Sequence, residues 1–451
     1  MPVPKKEALH GWGYTPVADC LAWRPEKQRD LTDILRKDGP KLARGMGRSY
    51  GDCSLQPGGV VRMERLNHFI EFDRRRGMIR AQAGVTLAEL MEVSIPLGWI
   101  PASIPGTSSV TLGGAFACNV HGKNQYREGD FAEHVQSIRL LLPDGEIMDC
   151  SPTHNREIFW TTAGGMGMTG IIEEVTLRLK PIASSSLNTT TYRVESLAEM
   201  IEAFDEYRDG SDYMVGWIDH MAQGDDIGRG IFEAASHIDT ESGGAPLAAY
   251  KPQKSGINIP FFLPGFTLNR YSMALYNQFR FRKYSPWRKT EKKGFHNFFH
   301  PLDRIGNWNR LYGKRGFFQY QCLFPDSPDI VSHIHTFLSA LHDKYLFSFL
   351  AVIKYHRRSK GLLTFSQAGY SIALDFPNTR QVRSVLPQLN HWIAEHGGRI
   401  YLAKDAVLSA DLFRVMYGKA AQDFESVIDQ LDPDAKFTSL MSKRLEWKRR
   451  E

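Results

Sequence analysis

Three glycine-rich segments hold the residues whose types and spacing could bind a phosphate. The first, residues 44–52, reads RGMGRSYGD and places glycines at positions 45, 47 and 51. Glycine permits tight turns and lets a ligand approach the backbone, and successive N–H groups in such a turn form a nest for an anion. The dinucleotide fingerprint should open a helix, but the residues after Gly51 have no helical periodicity. An ordinary glycine-rich β-turn is the alternative interpretation.

The second and third segments have the same character. Residues 103–122 form a long stretch of small and hydroxyl side chains, and residues 163–172 read AGGMGMTGII just before a predicted strand. The second segment also contains apolar residues that a solvated loop does not need, such as Leu112 and Phe116. Its Gly113-Gly114-Ala115 predicts the start of a short helix whose N-terminus points at a pyrophosphate. Three such segments predict one shared ligand site.

In order and spacing, these segments resemble the FAD domain of the vanillyl-alcohol-oxidase (PCMH-type) flavoprotein superfamily over residues 12–180. The resemblance implies that the first segment wraps the pyrophosphate, the second lines the ribityl chain and the isoalloxazine, and the third covers the adenine. The implied cofactor residues are Arg44, Gly45, Met46, Gly47, Arg48, Ser49, Tyr50, Gly51, Gly106, Thr107, Thr111, Gly113, Gly114, Cys118, Asn119, His121, Gly122, Gly167, Ile172 and Tyr401.

One departure from the superfamily concerns the bond to the flavin. Many members carry a histidine in the first segment that bonds covalently to the cofactor, whereas residues 46–50 here read MGRSY. We therefore expect non-covalent FAD, and we expect no metal site.

Further segments resemble the branch that oxidises polyprenyl-phosphoryl ribose. They are HGKN at 121–124, residues 298–313, FFQYQCLFP at 317–325 and RIYLAKD at 399–405. The resemblance implies hydride transfer from C2′ to flavin N5, which gives a 2′-keto sugar. It also implies a partner NAD(P)H-dependent short-chain reductase that completes an epimerisation to the D-arabinose donor of cell-envelope arabinan. Oxidation of free sugars, alditols or aldonolactones is the alternative, and a non-catalytic flavin-stabilised scaffold is a third.

Two lysines are the candidate catalytic residues. Lys404 matches the active-site lysine of the family, where an amine can hold the substrate oxygen as its proton leaves. Lys354 ends an apolar strand; both residues could instead be lysines that reach solvent. The candidate substrate contacts are Gln319 and Gln321, which share a strand face by the two-residue period, together with Tyr50 and Ala373.

Two of these positions carry further expectations. His121 is expected to contact the flavin, although a lone histidine is more often a structural group. Ala373 stands where the mycobacterial type of this family has a cysteine, so the chemistry here does not need that thiol.

The elements that position these residues predict an α+β protein. The 451 residues exceed one ordinary core, so we expect a PCMH-type FAD-binding domain at 1–182 and a substrate domain with a largely antiparallel sheet at 183–395. Residues 396–451 should return to the FAD site. The five cysteines are scattered and odd in number, which is typical of a reducing compartment.

The stretch at 251–300 is basic, aromatic and irregular in its pattern. It could be an ordinary packed segment, or a lid that contacts lipid headgroups and admits a polyprenyl chain. A net charge of +6 and the lack of a recognition module argue against nucleic-acid binding. No apolar run reaches the roughly 20 residues of a membrane span. We therefore expect a cytoplasmic protein that contacts the inner face of the membrane peripherally.

Overall fold

The computed structural model describes residues 3–251 and 256–447. Its N-terminal part contains two sheets. The first is four-stranded, with the order β1-β2-β4-β3, and the second has the order β5-β6-β10-β8-β9, with β7 paired to β10. The strands are β1 Lys5–His10, β2 Val17–Trp23, β3 Leu42–Arg44, β4 Val60–Arg62, β5 Phe69–Asp73, β6 Met78–Gln82, β7 Trp99–Pro101, β8 Val135–Leu141, β9 Ile147–Cys150 and β10 Ile171–Pro181.

A third, eight-stranded sheet follows, and every pairing in it is antiparallel, as predicted. Its order is β15-β11-β13-β12-β18-β19-β17-β20, and β14 pairs separately with β16. The strands are β11 Ser186–Val194, β12 Tyr213–Ile218, β13 Gly230–His237, β14 Ile257–Asn258, β15 Lys289–Gly294, β16 Ile305–Gly306, β17 Phe317–Pro325, β18 Ala351–His356, β19 Gly369–Pro377 and β20 Arg399–Ile400.

Helices cover the sheets with amphipathic faces. On α6, Met200 and Phe204 are fully buried, and Ile334 and Phe337 bury the matching face of α9 against the third sheet. The helices are α1 Arg29–Leu35, α2 Leu87–Ser94, α3 Leu112–Ala117, α4 Gln125–Glu128, α5 Arg156–Thr162, α6 Leu197–Tyr207, α7 Arg270–Lys283, α8 Phe295–Phe299, α9 Ile330–Asp343, α10 Arg380–Glu395, α11 Ala410–Tyr417, α12 Lys419–Leu431 and α13 Leu440–Arg444. The predicted α+β class is confirmed.

The proposed domain boundary at residue 182 falls between β10 and β11, where the second sheet ends and the third begins. The C-terminal helices then pack back on the N-terminal part. Arg444 forms ion pairs with Asp52 at 2.8 Å and with Asp405 at 2.9 Å, and Gln56 donates to the carbonyl of Thr438 at 2.9 Å. The division at 1–182, 183–395 and 396–451 stays a prediction.

The expectation that residues 251–300 lack regular structure was wrong. They contain α7, β15 and α8, while residues 252–255 lie outside the described part. Asn269 caps α7 by accepting from the N–H groups of Tyr271 and Ser272. The helix buries Met273, Asn277 and Phe281 at intervals of four residues. Aromatic residues at the other positions obscured this spacing in the sequence.

Candidate active site

A cavity of about 450 Å³ lies where the three glycine-rich segments meet one face of the third sheet. We call residues 44–50, 103–122 and 163–172 the cofactor loops. Each precedes or follows a regular element: β3 ends at Arg44, α3 begins at Leu112 and β10 begins at Ile171. The folded elements therefore bring together three segments that are far apart along the chain.

The first cofactor loop offers backbone donors to a ligand. Gly47 has φ +62°, and a Cβ on Gly45 would lie 2.2 Å from Oγ1 of Thr111. Within residues 3–251 and 256–447, the N–H groups of Met46, Gly47, Arg48 and Ser49 donate to no protein acceptor. Free N–H groups in a turn that only glycine can make are suited to phosphate oxygens.

Arg48 adds a guanidinium to this loop. It stacks over the ring of Trp12 at 4.1 Å, and its Nε is buried with no partner among the described residues. Burial lowers the pKa of Arg48 from its ordinary value, and Asp303 opposes that shift. An anionic ligand would supply the missing partner.

The second loop differs from expectation in one respect. Helix α3 begins as predicted, with Thr111 as N-cap. The N–H groups of its first turn, however, bond within the protein: Leu112 to Val85 O, Gly113 to Ala83 O, and Gly114 to Thr111 Oγ1. Because its donors are already used, the helix N-terminus is not the pyrophosphate site, and the free donors lie on the first loop.

Most of the predicted cofactor residues line the cavity, and three do not. Those on the wall are Arg44, Gly45, Met46, Gly47, Arg48, Ser49, Tyr50, Gly106, Thr107, Thr111, Gly113, Gly114, Cys118, His121, Gly167, Ile172 and Tyr401. Gly51 instead packs on Asp405, whose carbonyl would lie 1.6 Å from a Cβ, and Gly122 packs on Ile104. Asn119 accepts from the N–H of Ala132 at 3.1 Å inside the core. The packing of these three residues shapes the loops.

The opposite side of the cavity is a face of the third sheet, which we call the substrate wall. It consists of Thr191, Val215, Trp217, Ile231, Glu233, Gln319, Leu350, Val352, Lys354 and Ala373. The strand register places these residues on one face of the sheet, because Ala373 pairs with Val352, Val352 with Trp217, and Trp217 with Ile231. Gln321 was predicted to join this wall but does not line the cavity, since its Nε2 lies 2.9 Å from Nε2 of His121.

Lys404 lies between the cofactor loops and the substrate wall. Its turn is fixed by two backbone hydrogen bonds, from Tyr50 N to Ala403 O and from Tyr401 N to Gln321 O, both 3.0 Å. The Lys404 ammonium lies 5.8 Å from the centre of the Tyr50 ring. Burial lowers the pKa of Lys404 to about 8, and the charge of Asp375 opposes the shift. An amine with this pKa can hold or exchange a proton near neutral pH.

Asp375 is a functional candidate that sequence reasoning missed. It lies on β19 behind Gln319, which donates to it at 2.6 Å, and the Tyr312 hydroxyl is 3.4 Å away. Burial raises the pKa of Asp375 to about 7. The signal available in the sequence was an acid at a core-facing position of an apolar strand, which needs a buried partner.

Comparison with known proteins decides the family. Residues 21–151 match the family described as FAD binding domain. The chain is 32% identical to decaprenylphosphoryl-beta-D-ribose oxidase of Mycolicibacterium smegmatis over 456 residues, which cover 97% of each protein. This chain belongs to the decaprenylphosphoryl-β-D-ribose oxidase family. Its members are FAD-dependent oxidoreductases that act on CH–OH groups, so the predicted cofactor and enzyme class are confirmed.

More distant relatives share the oxidase character. L-gulonolactone oxidase of Bos taurus is 23% identical over 91% of each chain. The enzyme of the same name from Scyliorhinus torazame is 29% identical over 44% of this chain and 46% of its own length. The free donors of the first loop and the unpartnered Arg48 fit the FAD that this family binds.

Proposed function

We propose that this protein oxidises the 2′-hydroxyl of a polyprenyl-phosphoryl-β-D-ribose to the 2′-keto sugar, the first half of epimerisation to a D-arabinose donor. The observation that carries the proposal is Lys404, which lies between the cofactor loops and the substrate wall with a pKa lowered to about 8. The likeness to the oxidase of Mycolicibacterium smegmatis extends over both sides of this cavity.

The residues divide the chemistry between them. Bound FAD supplies the acceptor for the hydride of C2′. The fraction of Lys404 that is neutral takes the proton of the 2′-hydroxyl at Nζ, and Asp375 stabilises the ammonium that forms. Gln319 on the wall, fixed by its bond to Asp375, orients a sugar hydroxyl. Tyr50 closes the site from the cofactor side.

Oxidation of a free sugar, alditol or aldonolactone is the less supported alternative. Beyond Lys404 the substrate wall becomes apolar, with Val215, Trp217, Ile231 and Val352, and the same cavity contains Lys354, Lys123 and Arg280. An apolar chain that carries an anion uses both features, whereas a free alditol uses neither.

Product analysis tests the proposal. FAD-loaded protein would be incubated with farnesylphosphoryl ribose, and the product would be trapped with borodeuteride. We expect deuterium at C2′ alone, as measured by mass spectrometry and NMR. Deuterium at another carbon, or oxidation of xylitol and an aldonolactone in place of the lipid-linked sugar, would move the chain to the alternative.

We also propose that the FAD is bound non-covalently. No histidine lies among residues 44–50, and His121 Nε2 is engaged with Gln321. The Cys53 thiol is buried. After acid precipitation the flavin colour should remain in the supernatant; a yellow pellet contradicts the proposal.

A second protein must complete the epimerisation. A ketone at C2′ becomes the arabino epimer only when hydride is delivered to the opposite face, so we propose an NAD(P)H-dependent short-chain reductase as the partner. Adding such a reductase and NADPH to the product of this enzyme should give prenyl-phosphoryl arabinose. Return of ribose alone would exclude the partnership.

We propose further that α7 brings the enzyme to a membrane surface, at the inner face. No helix among the described residues is long and apolar enough to span a bilayer. On α7, however, Tyr271, Leu275 and Phe279 are 72%, 75% and 67% exposed. They recur every four residues on the side opposite the buried stripe of Met273, Asn277 and Phe281. The helix therefore has two apolar faces, and the rest of the described chain packs against only one of them.

The charge around this outer face favours an anionic membrane. Residues 256–294 contain eight lysines and arginines and one acidic residue, Glu291. Aromatic and apolar side chains ringed by basic residues are typical of helices that lie on anionic lipid. Arg280 and Tyr284 line the cavity beside this helix. A lipid-linked substrate could then enter next to the membrane.

Vesicle co-sedimentation tests this contact. We expect the protein to bind vesicles that contain phosphatidylserine, and to bind them less at high salt. The double variant Leu275→Ser with Phe279→Ser should lose binding and keep FAD. Val415→Ser, at a residue 64% exposed on α11, is the matched control. Undiminished binding by the double variant, or self-association in place of vesicle binding, contradicts this role for α7.

A further inference from the structure

The cavity contains an excess of cations that the reaction at C2′ does not explain. Arg44 bonds to Ser54 and to the carbonyl of His10, and Arg48 lies among the cofactor loops. Lys123 donates to Phe298 O and lies 3.8 Å from Glu233. The ammonium of Lys354, in contrast, makes no hydrogen bond or ion pair with any other residue in 3–251 or 256–447.

The groups that face Lys354 do not neutralise it. Lys404 and Lys123 repel it, and with burial as the largest cause they lower its pKa to about 7. His121 and His356 are kept neutral, because burial and the nearby cations lower their pKa values well below the ordinary value. A lysine held among cations in a cavity is a site for an anion.

The nearby acids are taken by other partners. Glu233 pairs with Val215 across β12 and β13, so it lies two strands from Lys354, about 10 Å at the backbone. Its carboxylate binds Lys293 at 2.5 Å as well as approaching Lys123. Asp375 accepts from Gln319 and acts on Lys404. Lys354 therefore lacks a counter-charge within the described protein.

The surroundings of Lys354 match an anion joined to an apolar chain. Val352 precedes it on the same face of β18, and Val215, Trp217, Ile231 and Leu350 continue that face. At the far side Arg280 stacks over Trp217 at 4.5 Å. A phosphodiester at Lys354 would thus have the sugar site of Lys404 on one side and an apolar floor on the other.

We propose that Lys354 is the binding residue for the phosphodiester of a lipid-linked substrate, rather than a second catalytic base. The inference rests on the proposed function and deepens it. In a prenyl-phosphoryl ribose the phosphoryl oxygen is attached to C1′, next to the reacting C2′. The cation that binds the phosphate must therefore lie beside the group that acts on the 2′-hydroxyl, as Lys354 lies near Lys404. The prenyl chain then runs over Trp217 towards Arg280 and Tyr284.

A substrate fragment without sugar tests this subsite independently of oxidation. The probe is methyl farnesyl phosphate, a phosphodiester that keeps one negative charge at every working pH, and farnesyl methyl ether is its uncharged comparator. Binding to the FAD-loaded protein is followed by the change in flavin fluorescence. We expect Lys354→Gln to weaken binding of the diester about 10- to 100-fold and to leave ether binding unchanged. Lys354→Arg should recover part of the loss, and Lys360→Gln, at an exposed residue, should behave as wild type.

A pH series on the wild-type protein tests the proposal even if a variant fails to fold. Binding of the diester should weaken as the pH rises above about 7, because Lys354 loses its charge, while ether binding stays constant. Competition by inorganic phosphate that depends on Lys354 would assign the site to phosphate itself. Lys354-dependent diester binding without such competition would assign it to the lipid-linked form. Both results support the subsite.

Two results would contradict the Lys354 subsite, and a third would separate it from the proposed function. Lys354→Gln that binds the diester as tightly as wild type, or wild type that binds ether and diester alike at pH 6.5, removes the subsite. If the diester binds through Lys354 but prenyl-phosphoryl ribose is not oxidised, the proposed function fails and the subsite remains.

Discussion

The cofactor loops and the substrate wall enclose the same cavity but are built in different ways. The loops offer mainly backbone to the cavity, in three continuous stretches whose donors and glycines adjoin one another in the chain. The wall is made of side chains from six strands, spread along the chain from Thr191 on β11 to Ala373 on β19. Cofactor binding is therefore a local property of the sequence, whereas substrate recognition depends on strand register.

The two sides also differ in their charges. On the loop side, Arg44 is bonded by Ser54 and a carbonyl, and Arg48 stacks on Trp12. On the wall side, burial lowers the pKa values of Lys123, Lys354 and Lys404; Glu233 opposes the shift at Lys123 and Asp375 opposes it at Lys404, whereas Lys404 and Lys123 add to it at Lys354. Substitutions on the two sides should therefore fail in different ways: loss of FAD on one, loss of turnover with FAD bound on the other.

The largest expected effect is on the loop side. Gly45→Ala places a Cβ 2.2 Å from Thr111 Oγ1, the cap of α3, so two cofactor loops must separate. We expect nearly complete loss of FAD, measured as flavin absorbance per protein, with the circular dichroism of a folded chain. Gly210→Ala, outside the cavity, is the matched control, because its Cβ meets nothing within 4 Å. Full FAD content in Gly45→Ala would contradict the assignment of this contact.

Lys404→Met should lower turnover and leave FAD binding unchanged. Removing a general base costs about 10²- to 10⁴-fold in rate, so we expect kcat to fall by that factor with FAD content unchanged. Stopped-flow reduction of the bound flavin by farnesylphosphoryl ribose measures it, with Lys419→Met on the surface of α12 as control. Near-normal turnover in Lys404→Met would show that another group takes the proton.

The pH dependence sharpens the role of Asp375. Because the neutral amine of Lys404 is the active form, kcat should rise about tenfold per pH unit until the pH approaches 8 and then level off. Asp375→Asn removes the charge that raises the pKa of Lys404, so the rise should move to lower pH. An unmoved profile would mean that Asp375 affects only packing.

The smallest expected effect on turnover is at Ala373. Ala373 lines the cavity, and its methyl side chain carries no thiol. Wild type should resist inhibitors that react with the cysteine found there in mycobacterial-type relatives. Ala373→Cys should change kcat by less than about twofold and gain covalent labelling, detected by intact-protein mass spectrometry. Labelling of wild type would point to Cys53 or Cys118 instead.

This contrast between local and tertiary features also explains what the sequence could predict. Most of the predicted cofactor residues line the cavity because they lie in continuous motifs, although Asn119 and Gly122 belong to the same motif and pack against the protein instead. Gln321 was predicted to line the cavity with Gln319 but does not. The two-residue period of a strand predicts which side chains share a face, but not which partner each side chain reaches, and Gln321 reaches His121.

Features that depend on tertiary packing escaped prediction. The pKa shift of Asp375 and the anion-binding role proposed for Lys354 depend on burial and, for Lys354, on the charges of Lys404 and Lys123, which are distant in sequence. Helix α7 was missed because its two apolar faces, Met273/Phe281 and Leu275/Phe279, leave no polar side to mark an amphipathic helix.

Anaerobic reduction of the bound flavin tests the central claim most directly. Purified FAD-loaded protein would be mixed with farnesylphosphoryl ribose or, separately, with free ribose, xylitol and an aldonolactone, while the flavin absorbance is followed. The account predicts rapid bleaching by the prenyl-phosphoryl sugar and none by the free compounds over the same time. Bleaching by the free polyols or lactone, with the prenyl-phosphoryl sugar inert, would contradict it.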